Sequence, residues 1–149
     1  MAPLYSVLEA MLDESDWEFD RRPDRGLLVF PVTGDHGDWT TAAQAREEAR
    51  QAFIYSIARE HVPADARTEA AILMARLNWG LSLGTFELDL DDGQIRLRTS
   101  IDVGETELTP ELVKPLLLSN LSLMDHYLPA IHAVADGATA SEALAAVTA

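Results

Sequence analysis

Three strings in this chain hold the residue types that chemistry uses. Gly80-Leu81-Ser82-Leu83-Gly84 matches G-x-S-x-G, which in α/β hydrolases sets a nucleophilic serine on a sharp turn from strand into helix. Asp89-Leu90-Asp91-Asp92-Gly93 has the carboxylate density of a calcium loop. Gly34-Asp35-His36-Gly37-Asp38 places an imidazole between two carboxylates on a glycine-rich loop, a donor set that could gather a divalent cation. Asp125 beside His126 adds the types of an acid–base pair. Together they define one reading, a metal-dependent or serine hydrolase using the His36 loop or Ser82.

Spacing argues against that reading in each case. Ser82 follows a helical pattern and precedes a strand pattern, so no helix N-terminus aims its amides at an oxyanion there. Counted as a calcium loop from Asp89, the glycine comes one residue early. Counted from Glu87 it comes one late, and Arg98 stands where a bidentate glutamate belongs. His36, His61, His126 and His132 include no pair four apart on one helical face. Adjacent residues such as Asp125 and His126 do not face each other on a helix. The bland readings are a solvated turn for the His36 loop and a β-hairpin for the aspartates. No metal and no cofactor is expected.

The hairpin follows from period-two patterning. Phe86, Leu88 and Leu90 alternate with Glu87 and Asp89, and Ile95, Leu97 and Ile101 alternate with Arg96 and Arg98. A two-residue turn at Asp92-Gly93 would pair Leu90 with Ile95, Asp89 with Arg96, Leu88 with Leu97 and Glu87 with Arg98.

Around it, Leu4, Val7, Leu8, Met11 and Leu12 trace an amphipathic helix after Pro3. Trp17–Arg21 and Leu27–Val32 read as two strands about a Pro-Asp-Arg-Gly turn. A second helix carries Ala70, Leu73, Met74 and Leu77 on one face and stops at Gly80. A third begins at Thr109-Pro110 and is broken into kinked segments by Pro115 and Pro129. Its apolar positions line more than one face, which makes Leu117, Leu121, Met124 and Leu128 the candidates for self-association. The Ala-rich tail, 138–149, reads as a short helix capped by Thr139 or Ser141, outside a single domain at 1–137. Residues 40–50 are ambiguous between helix and strand, since Ala, Glu, Gln and Arg favour helix beside the β-rich Gln51–Ala58.

Composition bounds the function. The 149 residues include 25 acidic and 11 basic side chains, a net charge of −14, which opposes nucleic acid and anionic membrane as partners. There is no cysteine, so thiol chemistry and disulfides are excluded. The start resembles no secretory signal and no run is long enough to span a bilayer, so the cytoplasm is the expected location.

Asn78 to Gly80, Gly84 to Asp89, Asp92-Gly93, Arg98 to Asp102 and Met124 to Pro129 carry N-x-G, G-x-F-E-L-D, D-G, R-T-S-I-D and M-D-x-Y-L-P. With Gly34–Glu48 and Phe53–Pro63, they resemble the YbjN family, described as bacterial sensory transduction regulators, over roughly residues 4–137. The resemblance implies an α+β fold like that of class I type III secretion chaperones, with an antiparallel sheet of five or six strands packed with three main helices. It implies strands at 39–46 and 51–58, although alanines at 42, 43 and 45 stand where bulkier residues are usual. It also implies a non-catalytic homodimer with a protein or peptide partner. Trp17, Trp39, Phe53 and Tyr55 are the candidates for the partner-binding surface, with the core as the alternative place for each.

Overall fold

The computed structural model describes residues 1–148. In chain order the elements are α1 (Leu4–Glu14), β1 (Asp20–Arg22), β2 (Leu27–Thr33), β3 (Asp38–Arg46), β4 (Gln51–Ala58), α2 (Arg67–Gly80), β5 (Thr85–Leu88), β6 (Ile95–Asp102), α3 (Pro110–Ala135) and α4 (Ala140–Thr148). The strands form one antiparallel sheet in the order β1-β2-β3-β4-β6-β5. All four helices feed one core cluster with the sheet side chains of a single face, including Leu28, Phe30, Trp39, Ile54, Ile95 and Leu97.

The predicted stripe of α1 is the buried one, Leu4, Val7, Leu8, Met11 and Leu12. Pro3 offers no capping side chain. The Glu47 carboxylate, from the β3–β4 turn, accepts instead from the amides of Leu4 (2.8 Å) and Tyr5 (2.9 Å), satisfying two donors at the positive end of the helix. Residues 40–46 are strand because they pair on both sides, with β2 and with β4. Ala43 and Ala45 are buried beneath α1; a small side chain there lets the helix lie close to the sheet.

Two expectations about element bounds need correction. The first strand is shorter than 17–21: only Asp20–Arg22 pairs with β2, and Trp17 leaves the ladder to pack its ring 4.9 Å from Phe30. Pro115 and Pro129 do not divide the third helix; α3 runs unbroken for 26 residues, each proline removing one bond while packing holds the rest. The tail helix buries Ala140 and Ala143, with Leu144 and Val147 partly buried against the same core, and Glu69 of α2 accepts from the Ala140 amide at 2.8 Å. The stop expected at Gly80 is kept: Gly80 is the last residue of α2, with Leu81 as its cap.

The β5–β6 hairpin departs in register. Glu87 pairs with Arg96, Leu88 with Ile95 and Phe86 with Leu97, two residues away from the register a two-residue turn would impose. The loop is instead Leu90–Gly93, closed by the Asp89 amide donating to Gln94 O at 2.9 Å. Its conformation is held from outside. The Val62 amide donates to Gly93 O at 2.8 Å, and the Arg67 guanidinium donates to the carbonyls of Leu90 (3.3 Å) and Asp91 (3.2 Å). Because the slip is even, the side chains that stay in the ladder keep their faces, whereas Leu90, expected opposite Ile95, lies in the loop and is 62% exposed.

Across the core, Asn120 of α3 is fully buried. Its amide nitrogen donates to Ile54 O (2.9 Å), Leu97 O (3.2 Å) and Thr99 Oγ1 (3.2 Å), and its oxygen accepts from Ser56 Oγ. Thr41 and the Trp39 indole extend the chain of polar contacts across the sheet.

Two outcomes follow. Gly93 has φ +83°, and a Cβ there would overlap Val62 O; Gly93→Val is expected to cost about 3 kcal/mol or more in urea denaturation. At the start of α4, Thr139 and Glu142 cap one another at 3.0 and 3.1 Å. The Thr139 amide, and after it the Thr139 hydroxyl, lower the Glu142 pKa from the ordinary 4.5. A lowered folded value means that the contribution is present above 4.5 and lost as pH falls through the folded value. The protection factors of the α4 amides, exchange rates taken relative to the intrinsic rate at each pH, are expected to fall across that acid window, and the acid-induced fall to vanish in Glu142→Gln.

Candidate functional site

Strand alternation sends Gln51, Phe53, Tyr55 and Ile57 of β4 to the face opposite the helices, beside Ala42 of β3 and Arg96 and Arg98 of β6. A sheet covered on one side ordinarily shows water a polar face. Here the centre of that face is aromatic. Phe53 and Tyr55 lie parallel, ring centroids 5.8 Å apart, and belong to no part of the helix-side core. Both are nearly buried because arginines lie on them: the Arg46 guanidinium is 4.5 Å from the Phe53 ring centroid and that of Arg96 is 4.3 Å from Tyr55.

The arginines are held unequally. Arg96 donates to Glu87 Oε1 at 2.8 Å, and Arg98 lies 3.5 Å from Glu87 Oε2 and donates to Ser100 Oγ at 3.0 Å. Arg46, at the end of β3, has its contact with the Phe53 ring and no side-chain hydrogen bond or ion pair among the described residues. A stacked arginine at an exposed site contributes about 0.5–1 kcal/mol. A hydrogen bond to a charged group contributes about 1.5–3 kcal/mol, so a partner carboxylate can draw these side chains off the rings.

Of the four residues proposed for partner contact, Phe53 and Tyr55 are on this face. Trp39 is not: it is 1% exposed in the helix-side core, its indole donating to Thr41 Oγ1 at 3.1 Å. Trp17 packs against that same core, half-buried. The self-association set is likewise inward. Leu117, Met124 and Leu128 are at most 1% exposed and Leu121 is partly buried against them, because they make the stripe with which α3 covers the sheet. Sequence reasoning missed Arg46, Arg96 and Ile57, although alternation along 51–58 and 95–102 places them on one face once the strand order is known. It also missed Trp79, which is 93% exposed on α2.

The three chemically suggestive strings are placed as follows. The His36 loop closes onto α3 rather than around a cation: the Asp125 carboxylate accepts from the His36 amide at 2.9 Å and lies 3.5 Å from its Nδ1. Gly34 leaves no room for a Cβ beside Asp125. Asp89 and Asp92 accept from the amides two residues ahead, 2.9 Å each, so they shape the turn. Ser82 is exposed where the chain leaves α2, in a shallow hollow with Leu81, Leu83, Ser119, Ser122 and Leu123. Among the described residues no three His, Asp or Glu side chains converge as metal donors would. No helix there is long and apolar enough to cross a membrane.

A family model, YbjN, described as "Putative bacterial sensory transduction regulator", matches residues 5–133. The chain belongs to the YbjN family. No curated protein sequence matches it significantly. Among solved structures, the crystal structure of YbjN from E. coli is similar with a TM-score of 0.64 at 15% identity, covering 80% of this chain and 84% of that one. The HopA1–SchA chaperone–effector complex is similar at 0.50 and 16% identity, covering 81% and 89%. The ExsC–ExsE complex is similar at 0.51 and 14%, covering 83% and 90%. These likenesses establish the fold that YbjN-family chains share with type III secretion chaperones.

For the open face of this YbjN-family sheet, the paired change Arg46→Ala with Arg96→Ala is expected to uncover Phe53 and Tyr55. Binding of a hydrophobic dye such as ANS should rise, while the folding stability falls by only about 1–2 kcal/mol in chemical denaturation.

Proposed function

We propose that this chain is a non-catalytic protein-binding adaptor, chaperone-like or regulatory, that works in the bacterial cytoplasm as a homodimer. The observation that carries it is the stacked Phe53–Tyr55 pair on a sheet face with no helix over it, screened by arginines. Aromatic and arginine side chains are the types over-represented where proteins bind one another tightly. The family description as a signalling regulator and the likeness in fold to a chaperone solved with its effector support the same reading. A net charge of −14 keeps such a surface soluble and turns polyanions away.

Self-association is assigned to α2 instead of α3. Thr68, Ile72, Ala75 and Trp79 form an exposed stripe along α2, and Ile72, Ala75, Arg76 and Trp79 line a hollow with Leu144 of α4. The stripe has a large residue at one end and a small one at the other. Two copies of α2 packed antiparallel about a two-fold axis would set each Trp79 against the other copy's Thr68 and each Ile72 against Ala75, the self-complementary contact an isologous interface needs. Arg76, which meets no carboxylate among the described residues, would lie near the other copy's Glu69.

Light scattering is expected to give twice the 16.3 kDa chain mass, and Trp79→Ser to give the single mass with an unchanged circular dichroism spectrum. Wild-type bait should retain specific proteins from the native host that a folded Phe53→Ser, Tyr55→Ser bait does not. A monomeric wild type removes the dimer; identical captures by both baits remove the open face as the binding site.

A further inference from the structure

Each end of the sheet leaves half a strand uncovered, and the registers decide which groups those halves expose. β1 pairs only with Leu27–Val29 of β2, and β5 only with Ile95–Arg98 of β6. In an antiparallel strand the N–H and C=O of one residue point to the same side, and that side alternates along the chain. On β2 the Ala45 amide donates to Gly26 O at 2.9 Å. In the register that follows, even-numbered residues face β3 and odd-numbered ones face outward. Pro31 is therefore an outward position. It offers no N–H and its ring obstructs pairing, the usual guard of an open edge.

On β6 the parity is equally clear. The Val103 amide donates to Arg50 O at 3.0 Å, and the Asp89 amide to Gln94 O at 2.9 Å, so odd-numbered residues face β4 and even-numbered ones face β5. Past Arg98 the outward positions are Ser100 and Asp102. Both are exposed, neither is proline, and no described strand lies beside them. One edge is guarded and the other is open.

Two hollows flank the open half. The chain turns toward β5 at Gly84, φ +81°, with its Cβ position 3.4 Å from Leu123 and 3.5 Å from Arg98 O; the residues before it form the helix-side hollow of Leu81, Leu83, Ser119 and Leu123. On the outer face Gln51, Phe53, Arg98, Ser100, Ile101 and Asp102 form the second. A strand continuing the line of β5 would send alternate side chains into one and the other. The first hollow is leucine-lined. The second is lined by Arg98, 3.5 Å from Glu87, and by Phe53, on which Arg46 lies without an ion pair among the described residues, whereas the Asp102 carboxylate is already held by Gln51 Nε2 at 3.1 Å and the Gly104 amide at 2.9 Å.

We propose that the β6 half-edge at Ser100 and Asp102 takes an extended segment of a partner protein in which apolar and acidic residues alternate. The segment pairs with the main chain of β6, its apolar side chains enter the hollow of Leu81, Leu83 and Leu123, and its carboxylates meet Arg98 and Arg46. The proposal rests on the adaptor reading and names how and by what pattern the partner is held.

Random linear peptides displayed on phage are selected on the wild-type protein, and the selected sequences are measured as labelled synthetic peptides by fluorescence polarisation. The expected sequences alternate apolar and acidic residues. Ser100→Pro places on β6 the guard that Pro31 provides on β2 and takes no bond from β4; it is expected to weaken binding about tenfold or more through lost main-chain pairing. Ser100→Ala, which removes only the hydroxyl contact to Arg98, is expected to bind like wild type. Leu83→Glu, at a site 57% exposed and so harmless to folding, is expected to weaken binding as well. Failure to select any peptide, or binding to Ser100→Pro and Leu83→Glu as tight as to wild type, overturns the proposal. Peptides indifferent to those changes but lost in Phe53→Ser leave the adaptor reading standing without strand addition. A dimer that Ser100→Pro turns into monomer would make the occupant a second copy, which also overturns it.

Discussion

Asn120 carries the one buried polar contact on which the arrangement of helices and sheet depends. Placed without partners in an apolar interior, its amide would cost several kcal/mol. With three acceptors for its nitrogen and Ser56 donating to its oxygen, it ties α3 to β4 and β6 at the middle of the sheet. Among the described residues no buried side-chain polar atom lacks a partner. Apolar side chains such as Leu117, Met124 and Leu128 supply most of the stabilisation but would tolerate sliding of the helix. The amide tolerates none, because two of its partners are backbone carbonyls of fixed spacing, on β4 and β6.

With α3 anchored in this way and α1 held at its N-terminus by Glu47, every helix is committed to one side of the sheet. The other side must then manage on side chains alone. Arginines laid across Phe53 and Tyr55 shield the rings from water without covering them permanently. The two sheet ends follow the same division. Pro31 protects one, and the other is left with unpaired main-chain groups between two hollows. A surface that is apolar, cationic in an acidic chain, and bordered by an open edge suits a partner better than it suits chemistry, and Ser82, His36 and the hairpin aspartates are placed where they serve turns and loop contacts.

Much of this was legible from local pattern. The stripes of α1 and α2, the Thr109-Pro110 start of α3 and the alternation in β5 and β6 each lie within a few residues of one another, and the structure keeps them. Asn120 could also have been singled out, since it falls at helical spacing between Leu117 and Met124 on an otherwise apolar stripe. Other features left no such mark. Glu47 caps a helix 43 residues away. The alanines of β3 make a strand because β2 and β4 pair with it on both sides, contacts that no local propensity expresses.

Alternation in Phe86–Val103 determined which side chains share a face, and it survived the shift in register because a slip of two residues preserves parity. The sequence by itself thus determined the faces of each element, the absence of thiol chemistry and the acidic charge. The register of the hairpin, the inward place of Trp39 and of the α3 leucines, and the gathering of Phe53, Tyr55, Arg46 and Arg96 on one surface were decided only in the tertiary structure. The physical reason is that periodicity is a property of neighbours along the chain, whereas strand order, loop anchorage by Val62 and Arg67, and coverage by α3 are contacts between residues far apart in it.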